Sequence, residues 1–376
     1  MLRILLNKKI IKTMIDYTKP QKGMKVSVIG DGAWGTAIAL TLLENGYRVM
    51  LWGAFPEYTS EMAKERMNYK FLPGIPLPED LEFTNSLEEA VKDARLLVMA
   101  SPSQFMRSVS HQLGEAMKEP YPIVTVAKGI ETDGIFLKRM SEIIEEETKC
   151  KHVSCLSGPS HAAQVARKMP AAVTVASKIP QLAAFVQQVF SNEHLRVYTN
   201  SDIIGVELCG TLKNIIAIAA GAVDGMEFGT NTKSALVTRG LVEMMRFGVA
   251  MGAQVESFIG LAGIGDLMTT CNMGRNYTFG MNLVKGMSVE EALKASAGVV
   301  EGYRNAECVH KLAERYNISM PLTSAIYSVL YEGKDFHSLV TELMLRDLKS
   351  ESHTGSPILR WLKLQALRTR ITLKLS

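Results

Sequence analysis

Several signals are missing from this chain of 376 residues. Its five cysteines, Cys150, Cys155, Cys209, Cys271 and Cys308, never fall in a C-x-x-C spacing, and an odd number cannot all pair within one chain. Thiols of that kind point to a reducing compartment, so a cytoplasmic location is expected. The seven histidines are scattered, without H-E-x-x-H or paired Cys/His spacing, and no metal site is expected. No apolar stretch is read as reaching the length of a membrane span. The longest, 215–223, is short and follows directly on Lys213-Asn214. The first 22 residues lack the long apolar region and small-residue cleavage site of a secretory signal. Internal repeats and low-complexity segments are not evident. With 47% hydrophobic and 21% charged residues, the composition leaves no case for global disorder.

Positive charge is concentrated at the two ends. The net charge is +4, but residues 1–25 carry +6 and residues 353–376 carry +5, which leaves −7 for the body between them. A body of that sign is a poor polyanion binder, and no nucleic-acid partner is expected. The length suffices for two domains, each with its own core. The expected division is a basic, poorly ordered leader at 1–22, a first domain at 23–200, a helical domain at 201–348 and a basic tail at 349–376.

The first half alternates short β-branched runs with helical stretches. Strands are expected at 25–29, 48–52, 96–100, 123–127, 153–156 and 172–176, with helices at 33–45, 56–64, 87–91, 104–117 and 135–146. Strands alternating with helices predict an α/β fold whose sheet is mostly parallel and covered on both faces. From about residue 201 the β runs stop. Helices are expected at 205–226, 235–248, 258–261, 277–285, 289–297, 303–316 and 320–331, and 358–376 reads as a basic amphipathic helix or as unordered chain.

Within the first strand–helix junction, Gly30-Asp31-Gly32-Ala33-Trp34-Gly35 has G-x-G-x-x-G spacing. Gly30 permits the tight turn, Gly32 lets backbone amides approach a pyrophosphate, and Gly35 lets the helix pack on the strand. The phosphates would sit at the helix N-terminus, where N–H groups lack intrahelical partners. This context favours nucleotide binding over an ordinary strand–turn–helix. Selection of NAD usually rests on an acid at the tip of the second strand, and selection of NADP on a nearby arginine. Trp52-Gly53-Ala54-Phe55-Pro56-Glu57 has neither at the tip, so tolerance of both cofactors is expected.

Lys213 is the most suspicious residue of the helical half, because its helix is apolar on nearly every face. A lysine there either runs its stem along the core with its head in water, or is buried with a lowered pKa and can exchange a proton near neutrality. Helix context leaves both readings open. Small residues at 260–265 lead up to Asp266, which is either a helix cap or a carboxylate turned inward. Gly274-Arg275-Asn276 offers a guanidinium and an amide suited to a phosphate, or a plain surface arginine. Lys128 ends a strand at the sheet's carboxyl edge, where open α/β folds bind ligands and where solvated lysines are equally at home. Ser157-Gly158-Pro159-Ser160-His161-Ala162 is not a nucleophile elbow, since Ala162 stands where G-x-S-x-G needs glycine.

Taken together, residues 24–347 resemble the NAD(P)-dependent glycerol-3-phosphate dehydrogenase family. The motifs are Gly30–Ala37, Ala127-Lys128-Gly129-Ile130-Glu131, Ser157–Ser160, Leu212-Lys213-Asn214, Gly263–Leu267, Gly274-Arg275-Asn276 and Val300-Glu301-Gly302. Seven in order on the right elements are highly specific. Gly274 departs from the bacterial branch, which commonly has serine there, and limits any substrate contact at that position to backbone. The resemblance implies a Rossmann-type doubly wound sheet followed by an all-helical C-terminal domain, with the active site in the cleft between them. It implies reduction of dihydroxyacetone phosphate to sn-glycerol 3-phosphate with NAD or NADP, supplying phospholipid synthesis, in a homodimer. Lys213 then looks like the proton donor, with Lys128 orienting the reacting oxygen and Asp266 and Thr270 completing a polar ring. Arg275 and Asn276 would bind the phosphate beside Gly274, and Gly158 and Ser160 would line the substrate side. Gly30, Gly32, Ala33, Trp34, Gly35, Ala162, Val299 and Glu301 would line the cofactor, with Lys128 and Arg275 reaching it too. The rivals are another two-domain dehydrogenase of 3-hydroxyacyl-CoA or 6-phosphogluconate type, and a non-catalytic dinucleotide-binding regulator.

Overall fold

The computed structural model describes residues 19–132, 136–296 and 298–348, together with 15, 17 and 351. Most of the leader and nearly all of the basic tail, including the proposed helix at 358–376, lie outside the described residues. Two compact units are present. One holds the chain up to Ala127 and Met140–Ile203, and the other holds Lys128–Arg139 and the chain from Ile204 onward.

The first unit is built on β1 (Lys25–Ile29), α1 (Ala33–Glu44), β2 (Arg48–Trp52), α2 (Pro56–Glu65), β3 (Glu82–Thr84), α3 (Leu87–Val91), β4 (Ala94–Met99), α4 (Met106–Ala116) and β5 (Ile123–Thr125). After the excursion into the second unit come α5 (Met140–Thr148), β8 (Val153–Ser157), α6 (Ala162–Ala166), β9 (Ala171–Ser177), α7 (Pro180–Phe190) and β10 (Leu195–Asn200). The eight strands form one sheet in the order β10-β9-β8-β5-β4-β1-β2-β3, parallel throughout except for β8 against β9. Alternate residues feed opposite faces. Val26 and Val28 of β1, with Leu96 and Val98 of β4, pack under Ile38, Leu42, Phe185 and Phe190. Ile29, Leu97 and Met99 pack under Met106, Leu113 and Ile143 on the other face. Burial on both faces explains why these strands read as continuous apolar runs. The chain runs from β1 out to β3 and returns to place β4 on the opposite side of β1. Such a switch point opens a crevice beyond the strands' carboxyl ends.

The second unit contains a small antiparallel hairpin, β6 (Ile130–Thr132) with β7 (Leu137–Arg139), and helices α8 (Ile203–Gly225), α9 (Gly229–Ala250), α10 (Val255–Phe258), α11 (Asp266–Thr270), α12 (Arg275–Val284), α13 (Val289–Lys294), α14 (Glu301–Arg315), α15 (Pro321–Glu332) and α16 (Phe336–Met344). The hairpin corrects the expected helix at 135–146, since helix begins only at Met140 and 137–139 pair with 130–132. Residues 133–135 lie outside the described residues. Sequence reading also passed over β3, β10, α6, α7, α11 and α16.

Helix α8 is the core of this unit. By length and hydropathy it could span a bilayer, contrary to the expectation that no stretch is long enough, yet 94% of its most apolar window is buried by protein. Helices α8 and α12 cross backbone to backbone. A Cβ at Gly221 would overlap the Tyr277 carbonyl oxygen, and one at Gly280 would overlap that of Ile218. Glycine at both points lets the start of α12 sit directly against α8. Glu243 of α9 accepts from the backbone N–H groups of Leu322 (2.7 Å) and Thr323 (3.2 Å), supplying a cap to α15 from a distant part of the chain.

Candidate active site

In the first unit the glycine turn has the geometry its spacing predicts. Gly30 has φ +126° and lies so close to the start of the β4 exit loop that a Cβ would come within 2.7 Å of the Ala100 carbonyl carbon. A Cβ at Gly35 would fall on the Gly30 carbonyl oxygen, while one at Gly32 would meet nothing within 4 Å. The turn is therefore closed underneath and open above Gly32, where a pyrophosphate needs room. Gly32 is the N-cap of α1 without a side-chain cap, and the first intrahelical bond there is Thr36 N–H to Gly32 O at 2.9 Å. The amides of Ala33, Trp34 and Gly35 accordingly point out of the helix end. Trp34 is half-buried against the core. These residues fit a dinucleotide.

Also in this unit, Gly158 follows β8 with φ +145°, and a Cβ would lie 2.9 Å from Val173 Cα. Ser160 Oγ donates to the Gly158 carbonyl (2.9 Å), and Ala162 opens α6.

The second unit holds the ionisable cluster. Asp266 is only 2% exposed. It is the first residue of α11, just after the wide turn of Leu261–Gly265, an irregularity of the kind often found at functional sites. Its carboxylate caps nothing. Oδ2 accepts from Lys128 Nζ at 2.6 Å, and Oδ1 lies 3.1 Å from Lys213 Nζ. One turn on, Thr270 Oγ1 takes a hydrogen bond from Lys213 Nζ and donates to the Asp266 carbonyl at 2.7 Å. Four residues expected from distant motifs thus meet at one point. Lys213 is buried rather than snorkelling. Burial lowers its pKa from 10.5 to about 8, with Asp266 opposing the shift and Lys128 reinforcing it. Two lysines share the Asp266 carboxylate, and Lys213 carries a proton that can move near neutral pH.

Arg275 opens α12 after Gly274, whose φ of +100° makes the entry turn. A Cβ on Gly298 would come within 2.5 Å of Arg275 Nη1, so the guanidinium lies over that glycine. Crowding by protein lowers the arginine's pKa and Glu301 raises it, while the residue stays reachable by solvent. The Asn276 side chain is turned inward. Its Nδ2 donates to Asn214 Oδ1 (3.0 Å) and its Oδ1 accepts from Gly302 N–H (2.8 Å), joining α12 to α8 and α14. Sequence reasoning put Asn276 on the phosphate and did not single out Asn214. It also passed over the buried ion pair of Arg139 Nη1 on β7 with Glu207 Oε2 on α8, at 2.8 Å. Val299 and Glu301 lie at the entry to α14.

An open turn for a dinucleotide in one unit and a buried amine–carboxylate centre in the other are the equipment of a hydride-transferring dehydrogenase. Residues 25–183 match the N-terminal family model described as NAD-dependent glycerol-3-phosphate dehydrogenase, and residues 202–341 match its C-terminal counterpart. The chain is 46% identical over 330 residues to "Glycerol-3-phosphate dehydrogenase [NAD(P)+]" of Geobacter sulfurreducens, covering 87% of this chain and 98% of that one. It is 44% identical to the protein of the same name in Listeria innocua, covering 88% and 98%. The solved glycerol-3-phosphate dehydrogenase of Coxiella burnetii has 35% identity and a TM-score of 0.82, over 86% of this chain and 99% of that one. The chain belongs to the NAD-dependent glycerol-3-phosphate dehydrogenase family.

Proposed function

We propose that this chain interconverts dihydroxyacetone phosphate and sn-glycerol 3-phosphate with NAD(P)H, and that Lys213 is its acid–base group. When bound, the nicotinamide supplies or accepts the hydride at C2 of the substrate. Lys213 Nζ gives its proton to the C2 oxygen during reduction and takes one back during oxidation. The carboxylate of Asp266 and the hydroxyl of Thr270 hold that nitrogen in place. Lys128 adds positive charge where the alkoxide develops, an effect that grows in a site shielded from water. Arg275 and the free amides at the start of α12, beginning at Gly274, bind the substrate phosphate, with Asn276 holding that helix end in position. Gly158 and Ser160 border the substrate. Gly30, Gly32, Ala33, Trp34, Gly35 and Ala162, with Lys128, Arg275, Val299 and Glu301, border the cofactor. The reading rests on the four-residue cluster around Asp266 in a chain of this family. It includes a homodimer and a cytoplasmic location, the latter in keeping with the five free cysteines.

Absorbance of NADH and NADPH followed with dihydroxyacetone phosphate tests the assignment. Lys213→Ala should lower kcat by about 10²–10⁴-fold while cofactor affinity holds. Arg275→Ala should chiefly raise KM for the ketone phosphate. Wild-type turnover in the Lys213 variant would refute the acid–base role, and turnover with an acyl-CoA or phosphosugar acid alone would refute the substrate.

A further inference from the structure

The strand-tip position that usually decides between the two dinucleotides is a glycine here. Strand β2 ends at Trp52, and Gly53-Ala54-Phe55 follows without an acid or an arginine. The space a side chain at residue 53 would fill is nevertheless occupied. A Cβ built on Gly53 would come within 2.5 Å of Asp31 Oδ2, with the Thr59 hydroxyl crowding the same point. The Thr59 hydroxyl is already engaged, donating to the Phe55 carbonyl (3.0 Å) and accepting from Asn85 Nδ2 (3.0 Å). Asp31 is itself partly exposed, but its Oδ2 is covered and has no hydrogen-bond partner among the described residues, so a turn of the carboxylate presents it to a ligand. The carboxylate has thus reached the strand tip from the glycine turn.

Its support is rigid. The Asp31 carbonyl accepts from Asn68 Nδ2 (2.8 Å) and Thr36 Oγ1 (3.3 Å), and Asn68, fully buried, is fixed in turn by the Tyr58 hydroxyl (2.7 Å). A shielded acceptor without a donor is costly, and native proteins keep few of them. A ligand that brings hydroxyl donors to the end of β2 removes that cost. A ligand that brings a phosphate there adds a second negative charge and no donor. Burial pushes the Asp31 pKa up, while a hydrogen bond from its own backbone amide and the charge of Lys70 act against that push.

We infer that Asp31 makes the chain prefer NAD(H) to NADP(H), its carboxylate taking the adenosine ribose hydroxyls and repelling a 2′-phosphate. This inference rests on the dehydrogenase reading above and narrows its cofactor. It adds a preference to the expected use of NAD or NADP, drawn from a residue outside the strand's own sequence.

Equilibrium titration of the full chain tests it without turnover, by quenching of tryptophan fluorescence with NADH and NADPH in the absence of ketone. The wild type should bind NADH at least about tenfold more tightly. In Asp31→Asn and Asp31→Ala the ratio should fall to about threefold or less, mainly through tighter NADPH binding. The rise in Tm that each dinucleotide gives a variant, relative to that variant alone, reports the same ratio even where the variant is less stable. A ratio unchanged in both variants would overturn the role of Asp31 and leave the dehydrogenase reading standing. A wild type that prefers NADPH, losing that preference in Lys70→Ala, would overturn it in favour of the lysine. Binding of neither dinucleotide would overturn both readings.

Discussion

Replacing Lys213 with methionine removes its charge while keeping most of its volume. The ammonium is buried, its side chain is 5% exposed, and its pKa is displaced from 10.5 to about 8. At about 1.4 kcal/mol per unit, burying that charge costs the folded state about 3 kcal/mol near neutral pH. The folded-state pKa lies below the unfolded one, so between about pH 8 and 10.5 the unfolded chain holds the extra proton. The wild type's unfolding free energy should therefore rise with pH across that window, and the penalty is fully in force below pH 8. Lys213→Met should lack that rise. On the proposed acid–base role of Lys213, reduction should decline above about pH 8 as Nζ loses its proton, and oxidation should climb through the same range. Denaturant unfolding at a series of pH values, with initial rates in both directions, provides the assay. Parallel stability curves for wild type and variant from pH 8 to 10.5, or a reduction rate flat through that range, would refute the reasoning.

Gly221→Val should destabilise the fold by about 3 kcal/mol in denaturant unfolding, because its side chain meets the backbone of α12 rather than a movable group; a loss below about 1 kcal/mol would mean the crossing gives way. Arg139→Met or Glu207→Gln alone should cost about 3–5 kcal/mol by removing one member of a buried ion pair, and the double variant should recover part of it. Additive losses in that cycle would show that the two side chains do not act as a pair. Glu243 has its pKa raised by burial from 4.5 to about 7, against the pull of the Leu322 and Thr323 amides. Its contribution is fully present below pH 4.5 and fades as pH rises toward 7, so Glu243→Gln should flatten the fall in stability between those values. An identical slope in the variant would discount the residue.

Much of this was legible in the sequence for identifiable reasons. β1, β2 and α1 announce themselves because both faces of the strands are buried and because three glycines each answer a steric demand. Lys213 stood out because a single ionisable group on an apolar helix has few explanations. Asp266 could not be resolved from the chain alone. Capping and ion pairing ask for the same residue at the start of a helix, and only the positions of Lys128 and Lys213 decide between them. The hairpin was missed because its two strands are three residues long and pair across a connection, leaving nothing periodic to find. The partnerships of Arg139 with Glu207 and Asn276 with Asn214 span 68 and 62 residues, distances no local pattern encodes. Asp31 was hidden differently: its carboxylate lies where a side chain at residue 53 would be, a proximity that spacing along the strand does not show.

The detour of Lys128–Arg139 has a consequence for how this protein comes apart. The helical half is not a contiguous piece of chain, since one of its two lysines and the partner of Glu207 are encoded inside the nucleotide-binding half. A fragment beginning at α8 would inherit an oily central helix whose Glu207 has lost Arg139. Domain shuffling that treats position 203 as a clean joint would break both pieces.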